Sequence, residues 1–329
     1  MIYLESHSTD PYYNLALEQY VFDCMDRNQQ YFMLWQNDNS IIVGKHQNTV
    51  EEINPAFVRQ HEIRVARRLS GGGAVYHDLG NLNFTFIVDA ADSETLDLHL
   101  FCYPVAKALK KLGVNAAVGG RNDITIDGKK FSGNSQYLKD GRLMHHGTIM
   151  YDSNLDVVAK ALQVSGNKIE SKGIKSVRGR VTNVREYLPQ DIPLDVFREL
   201  LLQYMFEGQE MPAYHFTEKD ELAIQALRES QYATWEWNYG FSPSHTIRKK
   251  QWVEGCGTVE ALMQVKDGKI TDLQFAGDFF SLEGPEKLGL LFLGKRLIRS
   301  ECVDAIREID VNQHISHLSS EALIKLLTD

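Results

Sequence analysis

Two stretches of the chain hold residue types that could handle a phosphorylated or carboxylated ligand. The first is Arg67-Arg68-Leu69-Ser70-Gly71-Gly72-Gly73. Three consecutive glycines are entropically unfavourable unless the backbone must approach something closely or adopt positive φ. No Gly-Lys-Ser/Thr ending follows, and the segment runs into a strand hairpin, not a helix. A Walker loop and a dinucleotide fingerprint are both excluded on those grounds. What remains is a loop whose N–H groups can line a ligand, with two phosphate-capable cations before it. The alternative is a plain tight turn.

The second stretch is Asp123–Ser132, centred on Asp127-Gly128, a two-residue hairpin signal. With that turn, Ile126 faces Lys129, Thr125 faces Lys130, Ile124 faces Phe131 and Asp123 faces Ser132. Faces alternate along each strand. One face therefore carries Ile124, Ile126 and Phe131, and the other carries Asp123, Thr125, Lys130 and Ser132. The first reads as core; the second is a polar cluster around Lys130, which on its own could be a solvated sheet face. Further on, Lys172, Lys175, Arg178, Arg180 and Arg185 precede the next acid, Glu186, with Gly173 and Gly179 among them. That composition reads as a mobile basic loop or, more plainly, as a solvated basic surface.

These residues need elements to hold them. Asp10-Pro11 starts a helix that runs toward Arg27, with Asp at the N-cap and Pro at the first position. Strands follow at 31–35 and 40–43, then at 74–76 and 83–88 across a turn at 78–81. A helix is expected at about 94–112, a strand at 147–151, and more helix up to about Gly208. Residues 209–247 read as a connecting region with a helix at 217–229. From about Lys249 a new unit begins, with a hairpin over 258–276 and helices at about 285–297, 300–308 and 318–327. The 329 residues suggest two domains. The expected division is 1–247 and 248–329, a class of α+β with a small α/β C-terminal unit.

Bulk properties narrow the function. The formal charge of −9 argues against a general nucleic-acid binder. No apolar run is long enough to span a bilayer, and the N-terminus lacks a signal-peptide pattern, so a cytoplasmic protein with no membrane association is expected. Cys24, Cys102, Cys256 and Cys302 show neither CxxC nor metal-ligand spacing and read as buried thiols.

The stretch Arg67–Asn81 resembles the signature of lipoate–protein ligases. So do Gly44-Lys45-His46-Gln47-Asn48, Gly120-Arg121-Asn122-Asp123, Lys130-Phe131-Ser132-Gly133, His145-His146-Gly147-Thr148, Lys172–Asn183 and Trp235–Gly240. The part beyond resembles the accessory domain of the bacterial two-domain form. The resemblance implies a catalytic domain like that of biotin ligases, related to class II aminoacyl-tRNA synthetases, with mixed sheets flanked by helices.

It also implies site residues. Arg68, Gly73, Ala74, Val75, Tyr76 and Lys130 would contact ATP. Arg67, Ser70, Gly71, Gly72, Lys130 and His146 would contact lipoate. Lys130 would be catalytic, and Lys172, Lys175, Arg178 and Arg180 would belong to a loop that closes over the adenylate. Mg²⁺ would accompany the polyphosphate, with Asp123 as a metal-side or Lys130-orienting carboxylate. The implied acceptors are apo lipoyl carriers, either E2 subunits of 2-oxoacid dehydrogenases or the glycine-cleavage H protein. An ATP-independent octanoyl- or lipoyl-transferase of the same fold is the competing expectation. Such enzymes use a cysteine nucleophile, whereas Cys102 and Cys24 read as buried and inert.

Overall fold

The computed structural model describes residues 1–90, 97–120, 122–162, 179–240, 247–266 and 268–328. Its strands are β1 Ile2–Glu5, β2 Tyr31–Trp35, β3 Ser40–Val43, β4 Arg64–Arg67, β5 Val75–His77, β6 Asn81–Asp89 and β7 Ala116–Gly119. They continue with β8 Asp123–Ile126, β9 Lys129–Lys139, β10 Arg142–Met150, β11 Ala213–Tyr214, β12 Ile247–Val253, β13 Gly257–Lys266 and β14 Lys269–Gly277. An eight-stranded mixed sheet has the order β11-β1-β2-β6-β10-β9-β8-β7, and a three-stranded sheet β4-β3-β5 lies beside it. A third sheet, β12-β13-β14, forms the C-terminal unit with short helices. The architecture is α+β, as expected.

Helix α1, Pro11–Cys24, starts where the sequence places it. Asp10 accepts from the Tyr12 amide and Pro11 occupies the first turn. Its buried side carries Leu15, Leu17, Val21 and Phe22, but also Asn14 and Glu18. On the opposite side of the large sheet, helix His99–Lys111 buries Cys102, Val105 and Leu109 against Phe84, Phe86 and Phe131. The C-terminal unit closes a core of its own from Val259, Met263, Phe275, Phe292 and Leu323.

Several elements differ from expectation. The strands after the glycines do not form a hairpin: β5 pairs with β3, whereas β6 pairs with β2 and β10 in the large sheet. The Asp78–Asn81 turn thus carries the chain between two sheets. In the β8–β9 hairpin, Ile126↔Lys129 and Thr125↔Lys130 hold, but an irregularity between Ile124 and Thr125 then sets Ile124 opposite Ser132 and Asp123 opposite Gly133. A bulge supplies one extra residue on one strand and bends the ladder there. Asp140-Gly141 makes a second turn of the Asp127-Gly128 kind, with both residues at positive φ. It joins β9 to β10, so both strands are longer than expected. The strand β12 is also absent from the expectations above.

Candidate active site

A cavity of about 250 Å³ opens between α1, the small sheet and the middle of the large sheet. Leu15, Trp35, Ile42, His77, Asn83 and His146 are the deeply buried part of its lining. Gly73, Ala74, Val75, Lys130, Gly133 and Asp278 are its half-exposed part. The buried part has an apolar stripe, and the accessible part holds a lysine and backbone. Such a wall suits a ligand with an apolar body and an anionic head.

Lys130 stands at the accessible side. Its ammonium lies 2.6 Å from Asp123 Oδ1, across the bulge, with both side chains about one-third exposed. Its stem passes over Gly133, where a Cβ would come within 3.0 Å of Nζ. The backbone is pinned as well: Lys130 N donates to Arg180 O (2.7 Å) and Thr182 N donates to Lys130 O (2.9 Å). The end of the basic stretch is therefore tied to the lysine. Lys172, Lys175 and Arg178 lie outside the described residues. Among the described residues, no three His, Cys, Asp or Glu side chains gather as a metal site. Asp123 faces the Lys130 ammonium, the geometry of a lysine-orienting carboxylate.

Arg68 shapes the glycine loop from within. Its guanidinium donates to Gly71 O (2.6 Å), Gly73 O (2.9 Å), Ser70 Oγ (3.1 Å) and Ile42 O (3.2 Å). Burial lowers its pKa to about 10, and Glu18 opposes the shift, so it stays a cation at neutral pH. Arg68 also lines the cavity.

Other expected contacts sit elsewhere. Arg67 is outside the cavity wall. It is a clasp, donating to Gly44 O (2.8 Å), Gln47 O (2.7 Å), Thr49 Oγ1 (2.7 Å) and Trp237 O (2.9 Å). Trp237 returns a bond from its indole to Arg67 O (2.8 Å), which accounts for the Trp235–Gly240 motif as a brace. Tyr76 points its ring away: strand alternation sends Val75 and His77 to the cavity and Tyr76 into a cluster with Ile41 and Val43. Only its backbone can serve the site. Ser70, Gly71 and Gly72 do not line the cavity either.

Gly71 and Gly72 instead seat the C-terminal unit. Gly72 N donates to Phe279 O (3.1 Å), and a Cβ on Gly71 would fall 2.3 Å from that same oxygen. Gly71→Ala should force the two backbones apart, at a cost of about 1–3 kcal/mol typical of overpacking. Limited proteolysis and thermal melting check this; unchanged melting and unchanged cleavage of the C-terminal unit would contradict the seat.

His146 is held at the cavity wall by a buried chain that the sequence did not reveal. Its Nε2 is 2.6 Å from Ser70 Oγ, and its Nδ1 is 3.1 Å from Glu18 Oε1. Thr85 Oγ1 donates to the same Glu18 oxygen (2.6 Å), and Trp35 Nε1 donates to Thr85 Oγ1 (2.9 Å). Asn14 and Glu18, four residues apart on an otherwise apolar helix face, were the available signal.

The thiols are away from this site. Cys102 donates to Leu98 O (3.0 Å), and burial pushes its pKa up to about 12. Cys256 and Cys302 are buried, while Cys24, expected to be buried, is exposed at the end of α1. None of the four lines the cavity. A variant with all four replaced by Ala or Ser should keep its catalytic activity if it folds. Loss traced to one cysteine, with a trapped thioester, would indicate a thiol mechanism instead.

With this geometry in place, comparison with known proteins is informative. The family described as lipoyl protein ligase A/B catalytic domain matches residues 10–206, and the bacterial lipoate protein ligase C-terminus matches residues 242–327. Lipoate-protein ligase LplJ of Bacillus subtilis (strain 168) is 41% identical over 331 positions, covering 99% of this chain and 100% of the relative. Among solved structures, the bi-partite lipoate protein ligase of Thermoplasma acidophilum, described with its E2 lipoyl domain, is 28% identical with a TM-score of 0.65, covering 75% of this chain and 98% of that one. A lipoate-protein ligase A bound with ATP is 26% identical with a TM-score of 0.61, covering 73% of this chain and 98% of that one.

Proposed function

This chain belongs to the lipoate–protein ligase family, and from that premise we propose that it uses ATP to activate lipoate and passes the lipoyl group to a lysine of a carrier protein. The observation that carries the reading is the cavity with Lys130 at its accessible side, held by Asp123, and apolar wall behind it. A similar structure is of a ligase bound with ATP, which supports the nucleotide. Another was described with its E2 lipoyl domain, which supports the acceptor; the H protein is the second acceptor class.

In the first step a lipoate carboxylate oxygen bonds to the α-phosphorus of ATP and the bond to the bridging oxygen breaks, releasing pyrophosphate. In the second, the carrier amine bonds to the acyl carbon, AMP leaves with the former carboxylate oxygen, and the amine gives up a proton. No covalent enzyme intermediate is needed, so catalysis rests on positioning and charge stabilisation. Lys130, a compact rotatable cation, can reach both the carboxylate and a non-bridging phosphate oxygen. Arg68 holds Gly73–Val75 in shape as the nucleotide-side wall. Magnesium enters as part of the nucleotide substrate.

The basic segment ending at Arg180 would close over the adenylate, a reading supported by its tie to the Lys130 backbone. A separate C-terminal unit is supported by its own core, on which Ile247, the first residue of β12, already packs. A cytoplasmic location fits both substrates; no helix among the described residues is long and apolar enough to cross a membrane.

The test combines the protein with MgATP, lipoate and each apo-carrier and reads the carrier's mass. Gain of one lipoyl group that requires ATP supports the ligase. Acyl transfer from an octanoyl-carrier without ATP, and no use of free lipoate, would replace it with the transferase.

A further inference from the structure

Two nitrogens in the cavity wall have no acceptor among the described residues. His77 Nε2 and Asn83 Nδ2 are buried without a hydrogen-bond partner, on residues 3% and 2% exposed that both line the cavity. A run of amides sets the proton on His77. Asn14 Nδ2 donates to Asn37 Oδ1 (2.9 Å), which leaves the Asn37 NH₂ to donate to His77 Nδ1 (3.1 Å). Nδ1 is then an acceptor, and the neutral ring carries its hydrogen on Nε2. Burial, with Arg68 and His146 nearby, lowers the His77 pKa to about 3, so the ring is neutral at physiological pH. The Asn83 carbonyl accepts from Asn81 Nδ2 (2.9 Å), leaving its NH₂ unanswered.

Both groups flank Trp35. Asn83 is its cross-strand partner, and the His77 ring meets it edge-on at 6.4 Å. Together with Leu15 and Ile42 this is the buried part of the lining. Donors without acceptors are rare in buried positions and point to a group that arrives from outside.

Resting on the ligase reading, we propose that His77 and Asn83 form a specificity subsite for the far end of the acyl chain, one that favours a ring carrying disulfide sulfur over a plain alkyl end. Sulfur is a weak acceptor that can take an N–H. A terminal methyl group cannot, and it would strand both donors or trap a water with them. A site with buried polar groups discriminates against the analogue that leaves them unpaired.

The experiment measures kcat/KM for lipoate and for octanoate, each ligated to the same apo-carrier, in the wild type and in His77→Leu, His77→Gln and Asn83→Asp. The wild type should favour lipoate by on the order of tenfold, the effect of about one such hydrogen bond. His77→Leu should bring the ratio toward one through a raised KM for lipoate, while His77→Gln, which keeps an N–H, retains more of the preference. Asn83→Asp keeps the shape, presents lone pairs to the sulfur, and should also erode the ratio. If His77→Leu does not fold, calorimetric binding of the two free acids to Asn83→Asp decides the matter. Equal use of both acids by the wild type, or an unchanged ratio in the folded variants, overturns the subsite. A wild type that ligates neither acid overturns the function proposed above, a distinguishable result.

Discussion

Lys130→Ala is expected to abolish lipoyl-adenylate formation while leaving the protein folded. The ammonium is the one Lys or Arg side-chain cation at the accessible part of the cavity wall among the described residues. Loss of a charge-stabilising donor of this kind lowers turnover by about 10²–10³, on the order of 3–4 kcal/mol in the barrier. Stability should change little, because the Lys130–Asp123 pair is one-third exposed and such pairs contribute about 0–1 kcal/mol. Lys130→Arg should rescue poorly: a planar guanidinium does not fit the path over Gly133, where Nζ already sits 3.0 Å from the position of a Cβ. Lys129, exposed across the turn, should tolerate alanine. Pyrophosphate release measured without carrier isolates the first step. A near-normal rate in Lys130→Ala would remove the lysine from the chemistry.

Arg68→Ala should fail differently, losing stability and activity together. The side chain is buried and answers four oxygens: Ser70 Oγ and the carbonyls of Ile42, Gly71 and Gly73. Removing it leaves several of them unpaired and takes the counter-charge from Glu18, whose field acts on it. Each stranded buried acceptor costs about 1–3 kcal/mol, and the lost attraction between Arg68 and the field of Glu18 acts in the same direction. Denaturant unfolding should therefore show a loss of at least about 3 kcal/mol. Arg68→Lys should recover little of it, since one ammonium cannot address a fan of acceptors. A variant that melts like the wild type but does not bind ATP would show Arg68 to be a ligand contact and not a clamp.

The contrast between Arg67 and Arg68 shows where sequence reading stops. Adjacent residues near the end of a strand project to opposite sides. The sequence marks both as anion-capable. Which one meets the cavity depends on where β4 sits in its sheet and on what covers its far side, here Trp237 and Asn238, some 170 positions away along the chain. Val75 and Tyr76 divide in the same way.

Local chemistry was readable because it is local. The Asp10-Pro11 helix start, the Asp127-Gly128 turn and the face of Lys130 follow from caps, turn geometry and alternation, each needing only a few neighbouring residues. The ordered motifs from Gly44 to Gly240 carried the family without any coordinates. The tertiary structure alone decided the rest. It set β5 and β6 in different sheets, bulged β8–β9 so that Gly133 and not Ser132 stands opposite Asp123, and seated Phe279 on Gly71. It also buried Glu18 behind His146 and left two donors on the cavity wall unanswered. These depend on contacts between residues far apart in the chain, where burial and hydrogen-bond completion are settled by packing and not by spacing.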